Sequence, residues 1–282
     1  MEIGIKSNYS KNLANKYLTS GNWCRSTSTA SAEKSRDESN YESLIYVIFF
    51  LIMLDIKLYN DNCMNVFPSL ADGSVHLTLT DIPYDEVNRK SGGLRNLDKS
   101  HADIITFPLD NFIDEVVRVT SESIYIFCGS VQVSHIRSRL IEHGLSVRHC
   151  IWEKTNPSPM NGQHMWLSSI ENCVFARKQG AYFDIRERCK SAVWKCPTEK
   201  YKGHPTPKPI ELMERLIQAS SQPEDTVFDP CMGSGAVGIA AKRCRRKFIG
   251  VELDETYFNI TKERIETAVR GIGEKKDLMS FM

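Results

Sequence analysis

The sequence predicts a doubly wound α/β domain built on a mostly parallel sheet. Three observations predict it. Short apolar or alternating runs recur between segments with helical spacing, the pattern of a sheet covered by helices on both faces. A Gly-x-Gly-x-x-Gly turn, Gly233 to Gly238, stands between one such run and a helix. The chain of 282 residues, 41% of them hydrophobic and 25% charged, is long enough to bury a large sheet.

Residues 1–43 are rich in Ser, Asn, Lys and Glu, show neither helical nor strand period, and are expected to be loosely ordered. Leu44 to Leu54 is apolar but shorter than the roughly 20 residues that a bilayer core requires, and no cleavage site follows it, so neither a membrane span nor a leader is expected. The folded unit is read as 53–270, with 1–52 an extension that Met53 would replace as the start, and 271–282 a tail.

Ile56 to Tyr59 reads as the opening strand, and Val75 to Thr80 alternates apolar and polar residues as a strand that ends at Asp81. Phe112 to Val119 is a helix and Ser123 to Cys128 a strand. Val131 to His143 is a helix stopped by Gly144. Ser146 to Trp152 and Glu171 to Ala176 are strands. Ala181 to Gly203 is irregular, with Arg186, Arg188, Lys190, Lys195, Lys200 and Lys202 among Tyr182, Phe183, Trp194 and Tyr201. Pro209 to Ala219 is a helix with Leu212, Met213, Leu216 and Ile217 on its apolar face. A buried strand Thr226 to Phe228, a helix Ala236 to Cys244, a strand Lys247 to Glu252 and a helix Glu255 to Val269 complete the alternation.

The net charge of +1 excludes a globally basic protein, so any contact with nucleic acid must come from local clusters. Nine cysteines are scattered without a Cys-x-x-Cys pair, which fits reduced core thiols in a cytosolic protein rather than a disulfide frame or a metal site. The basic run Lys242, Arg243, Arg245, Arg246 and Lys247 follows a helix and reads as its solvated, dipole-complementing end.

Two motifs carry chemistry. In Phe228-Asp229-Pro230-Cys231-Met232-Gly233-Ser234-Gly235, glycines let the backbone approach a nucleotide-like ligand, and Glu252, at the end of the next strand, is placed to accept hydrogen bonds from ribose hydroxyls. Alone, this suits a nicotinamide dinucleotide as well as S-adenosylmethionine. In Asp81-Ile82-Pro83-Tyr84, an acid, a constrained backbone and an aromatic ring meet where a strand ends, an arrangement suited to a flat ligand bearing an amino group. Alone, this is equally a turn.

Together, and in this order, they resemble the adenine-N6 and cytosine-N4 DNA methyltransferases, in the subgroup whose catalytic tetrapeptide precedes the cofactor loop. Trp152 to Pro157 and His204-Pro205-Thr206-Pro207-Lys208-Pro209 match two further motifs of that family, so the resemblance runs from about Ile56 to Val269. Ile82 departs from it, since the family has proline there.

The resemblance implies a Rossmann-like fold and S-adenosylmethionine as cofactor, held by Asp229, Pro230, Cys231, Met232, Gly233, Ser234, Gly235 and Glu252, with His204, Thr206 and Lys208 near its methionine end. It implies catalysis at Asp81, Ile82, Pro83 and Tyr84: Asp81 and the Ile82 carbonyl orient an exocyclic amine, and Tyr84 stacks on a base flipped from the duplex. No metal is needed. Asp rather than Ser at position 81 favours adenine N6 over cytosine N4. Asp81 and Tyr84 are expected to be indispensable, and the Ile82 side chain replaceable, even by proline. The segment 181–203 lies where this family carries target recognition. Double-stranded DNA is the implied partner; a homodimer and a cognate restriction enzyme stay open. The expected location is the cytoplasm, at the nucleoid, or the nucleus in a eukaryote. A nicotinamide-dependent oxidoreductase explains the glycine loop but not the tetrapeptide, and a non-catalytic binding module remains if Ile82 spoils the site. Methylation of RNA or protein amines is a further alternative.

Overall fold

The computed structural model describes residues 2–4, 55–84, 105–159, 164, 166–184, 190–199 and 207–268. Nine strands form one sheet among them: β1 (Glu2–Gly4), β2 (Ile56–Asn60), β3 (Val75–Asp81), β4 (Thr120–Cys128), β5 (Ser146–Lys154), β6 (Ile170–Arg177), β7 (Val193–Cys196), β8 (Thr226–Asp229) and β9 (Lys247–Glu252), in the order β1-β2-β9-β8-β3-β4-β6-β5-β7. The run from β2 to β4 is parallel throughout. β6 is antiparallel to both β4 and β5, β7 runs parallel to β5, and β1 is antiparallel to β2.

Among the described residues six α-helices cover the sheet: α1 (Cys63–Val66), which runs into a 3-10 turn at Phe67–Ser69, then α2 (Leu109–Val119), α3 (Val133–Glu142), α4 (Ile210–Ser220), α5 (Ala236–Arg243) and α6 (Glu255–Thr267). The alternation along each strand decides which helix packs where. Leu77 and Leu79 of β3, Tyr125 and Phe127 of β4 and Phe248 of β9 face one way, against Leu216 and Ile217 of α4, Ala240 of α5 and Ile265 of α6. Ile124 and Ile126 of β4 and Phe228 of β8 face the other way, against Phe67, Phe112 and Val116, and Ile136 of α3. Two cores on opposite faces of one sheet are what doubly wound means, and the fold is Rossmann-like as expected.

The predicted strands and helices recur with ends moved by a few residues. Two departures concern segments read as irregular. Glu2–Gly4, in the region expected to lack a strand, pairs with Lys57 to Tyr59. Within Ala181 to Gly203, β7 pairs with Ile151 to Lys154, and Trp194 is buried against Tyr125 and Phe127 with ring centroids 6.1 and 6.4 Å away. Trp194 is therefore a core residue, and the aromatic surface expected for target recognition loses it. Phe183 packs 6.3 Å from Phe175. Arg186, Arg188, Lys200, Tyr201 and Lys202 lie outside the described residues, as does Leu44 to Leu54.

The basic run is also corrected in part. Arg246 is buried, giving its guanidinium to the Ser221 hydroxyl and to the carbonyls of Ser221 and Cys244. Lys242 donates to the carbonyls of Ile265 and Glu266, at the end of α6 rather than of its own helix. The seven cysteines among the described residues are free, and all but Cys231 are buried. No helix of the described residues is long and apolar enough to cross a membrane.

Candidate active site

The strand order brings distant sequence together. β3 and β8 are neighbours at the centre of the sheet, and both end on the same edge. There the chain reverses its winding, because β4 lies on one side of β3 and β8 and β9 on the other, and ligands of open α/β sheets bind at such a point. The Thr80 hydroxyl donates to Asp229 Oδ1 at 2.8 Å, fastening the residue before the tetrapeptide to the acid that opens the glycine loop.

The loop after β8 is shaped mainly by backbone. Gly233 and Gly235 have φ of 42° and 75°, in the left-handed region where a Cβ is strained. A Cβ on Gly235 would also lie 2.6 Å from Thr261 Cγ2, and one on Gly238 would lie 2.5 Å from Ile265 Cδ1, so α6 sets the second and third glycines of the motif. The turn is closed by Gly235 N–H to the Met232 carbonyl at 2.7 Å and by Met232 N–H to the Val251 carbonyl at 2.9 Å. Thr261 Oγ1 donates to the Gly233 carbonyl and Arg264 to the Ser234 carbonyl. Glu252 accepts from Gly233 N–H and Asp254 N–H, each at 2.9 Å, so the acid expected to hold ribose also ties the loop to β9.

Asp229 is buried, with Oδ1 accepting from Thr80 and from Cys231 N–H at 3.1 Å. Burial pushes its carboxyl up to about 7 against those two hydrogen bonds. Burial likewise raises the Glu252 carboxyl, offset in part by the Asp254 and Gly233 amides. Pro230, Met232 and Ser234 are buried around the turn.

The tetrapeptide is held by side chains and one backbone contact. Ile82 N–H donates to the Phe127 carbonyl at 3.2 Å, and its side chain is only 1% exposed, packed in the core that α2 and α3 cover. Proline at position 82, expected to serve as well, would lose that donor. Gln132 bridges the Pro83 carbonyl, at 3.1 Å, to Gly129 N–H, at 2.7 Å.

Around Asp81 stands a group of charges that sequence reading assembled only in part. Lys208, expected near the methionine end of a cofactor, has its ammonium on the tetrapeptide. It donates to Asp81 Oδ2 and to the Tyr84 hydroxyl at 3.2 Å, and pairs with Glu171 Oε2 at 3.0 Å. It also lies 5.3 and 5.4 Å from the ring centroids of Tyr84 and Phe127. The Tyr84 hydroxyl donates to Glu171 Oε2 at 3.2 Å, and Lys154 pairs with Glu171 Oε1 at 2.8 Å. Glu171 and Lys154 were read only as strand and motif residues; no local pattern marks a strand-opening acid as part of a site.

Burial raises the Asp81 carboxyl, and the Lys208 ammonium draws it back. Burial would raise Glu171 too, but Lys208 and Lys154 hold it down at about 2. Burial disfavours the Lys208 charge, yet the two carboxylates keep it protonated above the ordinary lysine range. Burial, with Asp81 and Glu171 adding repulsion, pushes the Tyr84 phenol well above its usual value, so it stays neutral. Asp81 Oδ1 is buried and finds no hydrogen-bond partner among the described residues. A buried acceptor without a donor is costly, and such an atom at a strand end is ready for a ligand's N–H. His204 and Thr206 lie outside the described residues. Among those residues no group of three or more His, Cys, Asp or Glu is arranged to hold a metal ion.

A family profile described as DNA methylase matches residues 75–263. The type II methyltransferase M2.MboI of Moraxella bovis is 26% identical over 239 residues, covering 74% of this chain and 87% of that protein. M2.DpnII of Streptococcus pneumoniae is 35% identical over 131 residues, which span 41% of this chain and about half (49%) of that relative. Among solved structures, M1.HpyAVI in complex with SAM superposes with a TM-score of 0.59 at 27% identity, covering 73% of this chain and 98% of that one. The cytosine-N4-specific PvuII DNA methyltransferase is alike in fold, with a TM-score of 0.61 at 19% identity over 78% of this chain and 88% of its own. With its tetrapeptide and glycine loop joined at the centre of the sheet, and two thirds of its length inside the matched region, the chain belongs to the N6/N4 DNA methylase family.

Proposed function

We propose that this protein transfers a methyl group from S-adenosylmethionine to the exocyclic amine of a base flipped out of double-stranded DNA, and that the base is adenine, methylated at N6. The observation that carries the reading is the adjacency of Asp81 and Asp229, bound through Thr80 at the ends of neighbouring strands. Direct transfer needs an amine acceptor beside a cofactor loop, and the neighbouring positions of these two acids support that reading.

The residues suit S-adenosylmethionine. Asp229 offers a buried carboxylate, Glu252 an acid at the next strand end, and Gly233 and Gly235 a turn without side-chain bulk. When bound, the cofactor supplies an electrophilic methyl group on a positively charged sulfur. Everything else falls to the chain. An aromatic amine is a weak nucleophile because its lone pair is delocalised into the ring. Asp81 Oδ1 accepts one amine hydrogen and the Ile82 carbonyl the other, which turns the lone pair out of the ring plane toward the methyl group. Asp81 would accept the proton that the amine sheds on taking the methyl group, the S–C bonding pair staying with the cofactor's sulfur. Positioning and preset dipoles provide most of the rate. Flipping the base costs a few kcal/mol, and stacking on Tyr84 returns about 1–3 kcal/mol.

Asp rather than Ser at position 81 supports adenine, through the family resemblance. Action on DNA supports a location with the chromosome: in the cytoplasm at the nucleoid, or in the nucleus of a eukaryote. The test is transfer of tritium from labelled S-adenosylmethionine to unmethylated plasmid DNA, followed by mass spectrometry of the nucleosides. N6-methyladenine is expected. N4-methylcytosine would overturn the base assignment, and full activity of Asp81→Ala would overturn the mechanism.

A further inference from the structure

Four charged side chains lie in a row across the site: Lys154 of β5, Glu171 of β6, Lys208 just before α4 and Asp81 of β3. Their side chains are 15, 17, 8 and 32% exposed in that order. Removing an ion from water costs several kcal/mol even after relaxation, and apolar residues would fill such a space with less penalty. The row therefore calls for a functional reason.

The geometry suggests one. Lys208 has three ammonium protons and three acceptors around it: Asp81 Oδ2, Glu171 Oε2 and the Tyr84 hydroxyl. Bound to Asp81 alone, the ammonium would be free to rotate across both carboxylate oxygens and occupy the position the target amine needs. Glu171 draws it to one side and is itself held by Lys154 through its other oxygen. Asp81 is left with Oδ2 occupied and with Oδ1 lacking a partner among the described residues.

We infer that Glu171 is a positioning residue for methyl transfer, holding the Lys208 ammonium on Asp81 Oδ2 so that Oδ1 stays open to the amine of the target base. The inference rests on the reading of Asp81 as the acceptor of that amine. The groups facing Asp81 are Lys208, Glu171 and Tyr84, with Cys128 at the end of β4 and Asp229 across Thr80 on β8. Glu171 opposes the ionisation of Asp81 and Lys208 favours it, so the two have opposite effects on the acid side of a pH profile.

The test uses the full chain. Single-turnover methyl transfer to unmethylated plasmid DNA is followed across pH at saturating S-adenosylmethionine, and affinity for S-adenosylhomocysteine is measured beside it. For Glu171→Gln the rate at the optimum should fall about tenfold or more, the acid limb should move to lower pH, and affinity should stay within about twofold. For Lys208→Met the acid limb should move to higher pH. A Glu171→Gln protein that is slower with an unmoved acid limb would assign Glu171 a purely structural role and overturn the inference, as would an unchanged rate. Should Glu171→Gln not fold, Lys154→Met poses the same question, because loss of that cation should raise the acid limb; an unmoved limb there overturns the inference too. Full activity of Asp81→Ala would instead remove the underlying reading, whatever Glu171 does.

Discussion

The two halves of the cleft stand on adjacent strands but are made of different material. On the β8 and β9 side, the site is backbone: a turn of left-handed glycines, closed by main-chain hydrogen bonds and backed by α6, drawn from residues 228–265. On the β3 side, it is side chains: Asp81, Tyr84, Lys154, Glu171 and Lys208 arrive from segments up to 127 residues apart and meet through charge. A turn shaped by backbone tolerates little change in shape, and a cluster of charged side chains tolerates little change in charge. Holding a large cofactor suits the first, and tuning one proton acceptor suits the second.

Four measurements would break or sharpen that contrast. The largest effect is expected at Asp81. Asp81→Ala should slow transfer by at least about a hundredfold, the scale on which one preset electrostatic group contributes, while affinity for S-adenosylhomocysteine changes by less than about twofold. If both fell together, the two halves would not be separable. Next comes Gly235→Ala. A Cβ in the left-handed region costs roughly 1–2 kcal/mol, and the 2.6 Å approach to Thr261 adds overpacking of about 1–3 kcal/mol, so denaturant unfolding should show a loss of about 2–5 kcal/mol together with weaker cofactor binding.

Third is a pH effect on the cofactor side. The Asp229 carboxyl is raised to about 7 by burial, and a cationic ligand group beside it favours the ionised form. Below pH 7 a proton must therefore leave before the ligand binds, so affinity for S-adenosylhomocysteine should weaken as pH falls, by on the order of tenfold per unit. It should level off above pH 7, and Asp229→Asn should flatten the dependence. The smallest effect is that of Ile82→Pro. Loss of the N–H bond to Phe127 should cost about 0.5–1.5 kcal/mol of stability in denaturant titrations. No loss would support the expectation that any residue with a carbonyl suffices at this position.

The same contrast explains what was legible in the sequence. The cofactor half is contiguous, and its glycines, its following helix and its spaced acid each leave a local pattern; β8, α5, β9 and α6 follow that pattern within a few residues. The tetrapeptide was legible as a strand end and gained meaning from its order relative to the loop. Its partners were not. Lys208 is legible as a motif residue, but its pairing with Asp81 is not, because no periodicity encodes an ion pair across 127 residues. Glu171 opens a strand, where an acid is unremarkable. β7 was lost among charges, since a four-residue strand at the edge of a sheet needs only Trp194 and Cys196 on the inside. Arg246 resembled its solvated neighbours, and its burial depends on Ser221 being brought beside it by the fold.

The pairing of β3 with β8 also bears on how the chain is made. Thr80 and Asp229 are 149 residues apart, so at 5–20 residues per second the ribosome needs roughly 7–30 s to deliver the second after the first. During that interval Leu77, Leu79 and their neighbours form a strand with one open edge, a template for pairing with other chains. A protein truncated before Thr226 would keep most of its helices and strands yet carry its innermost strand as an exposed border. Its fate is set by the order of synthesis: the last fifth of these 282 residues is what closes the sheet around its own centre.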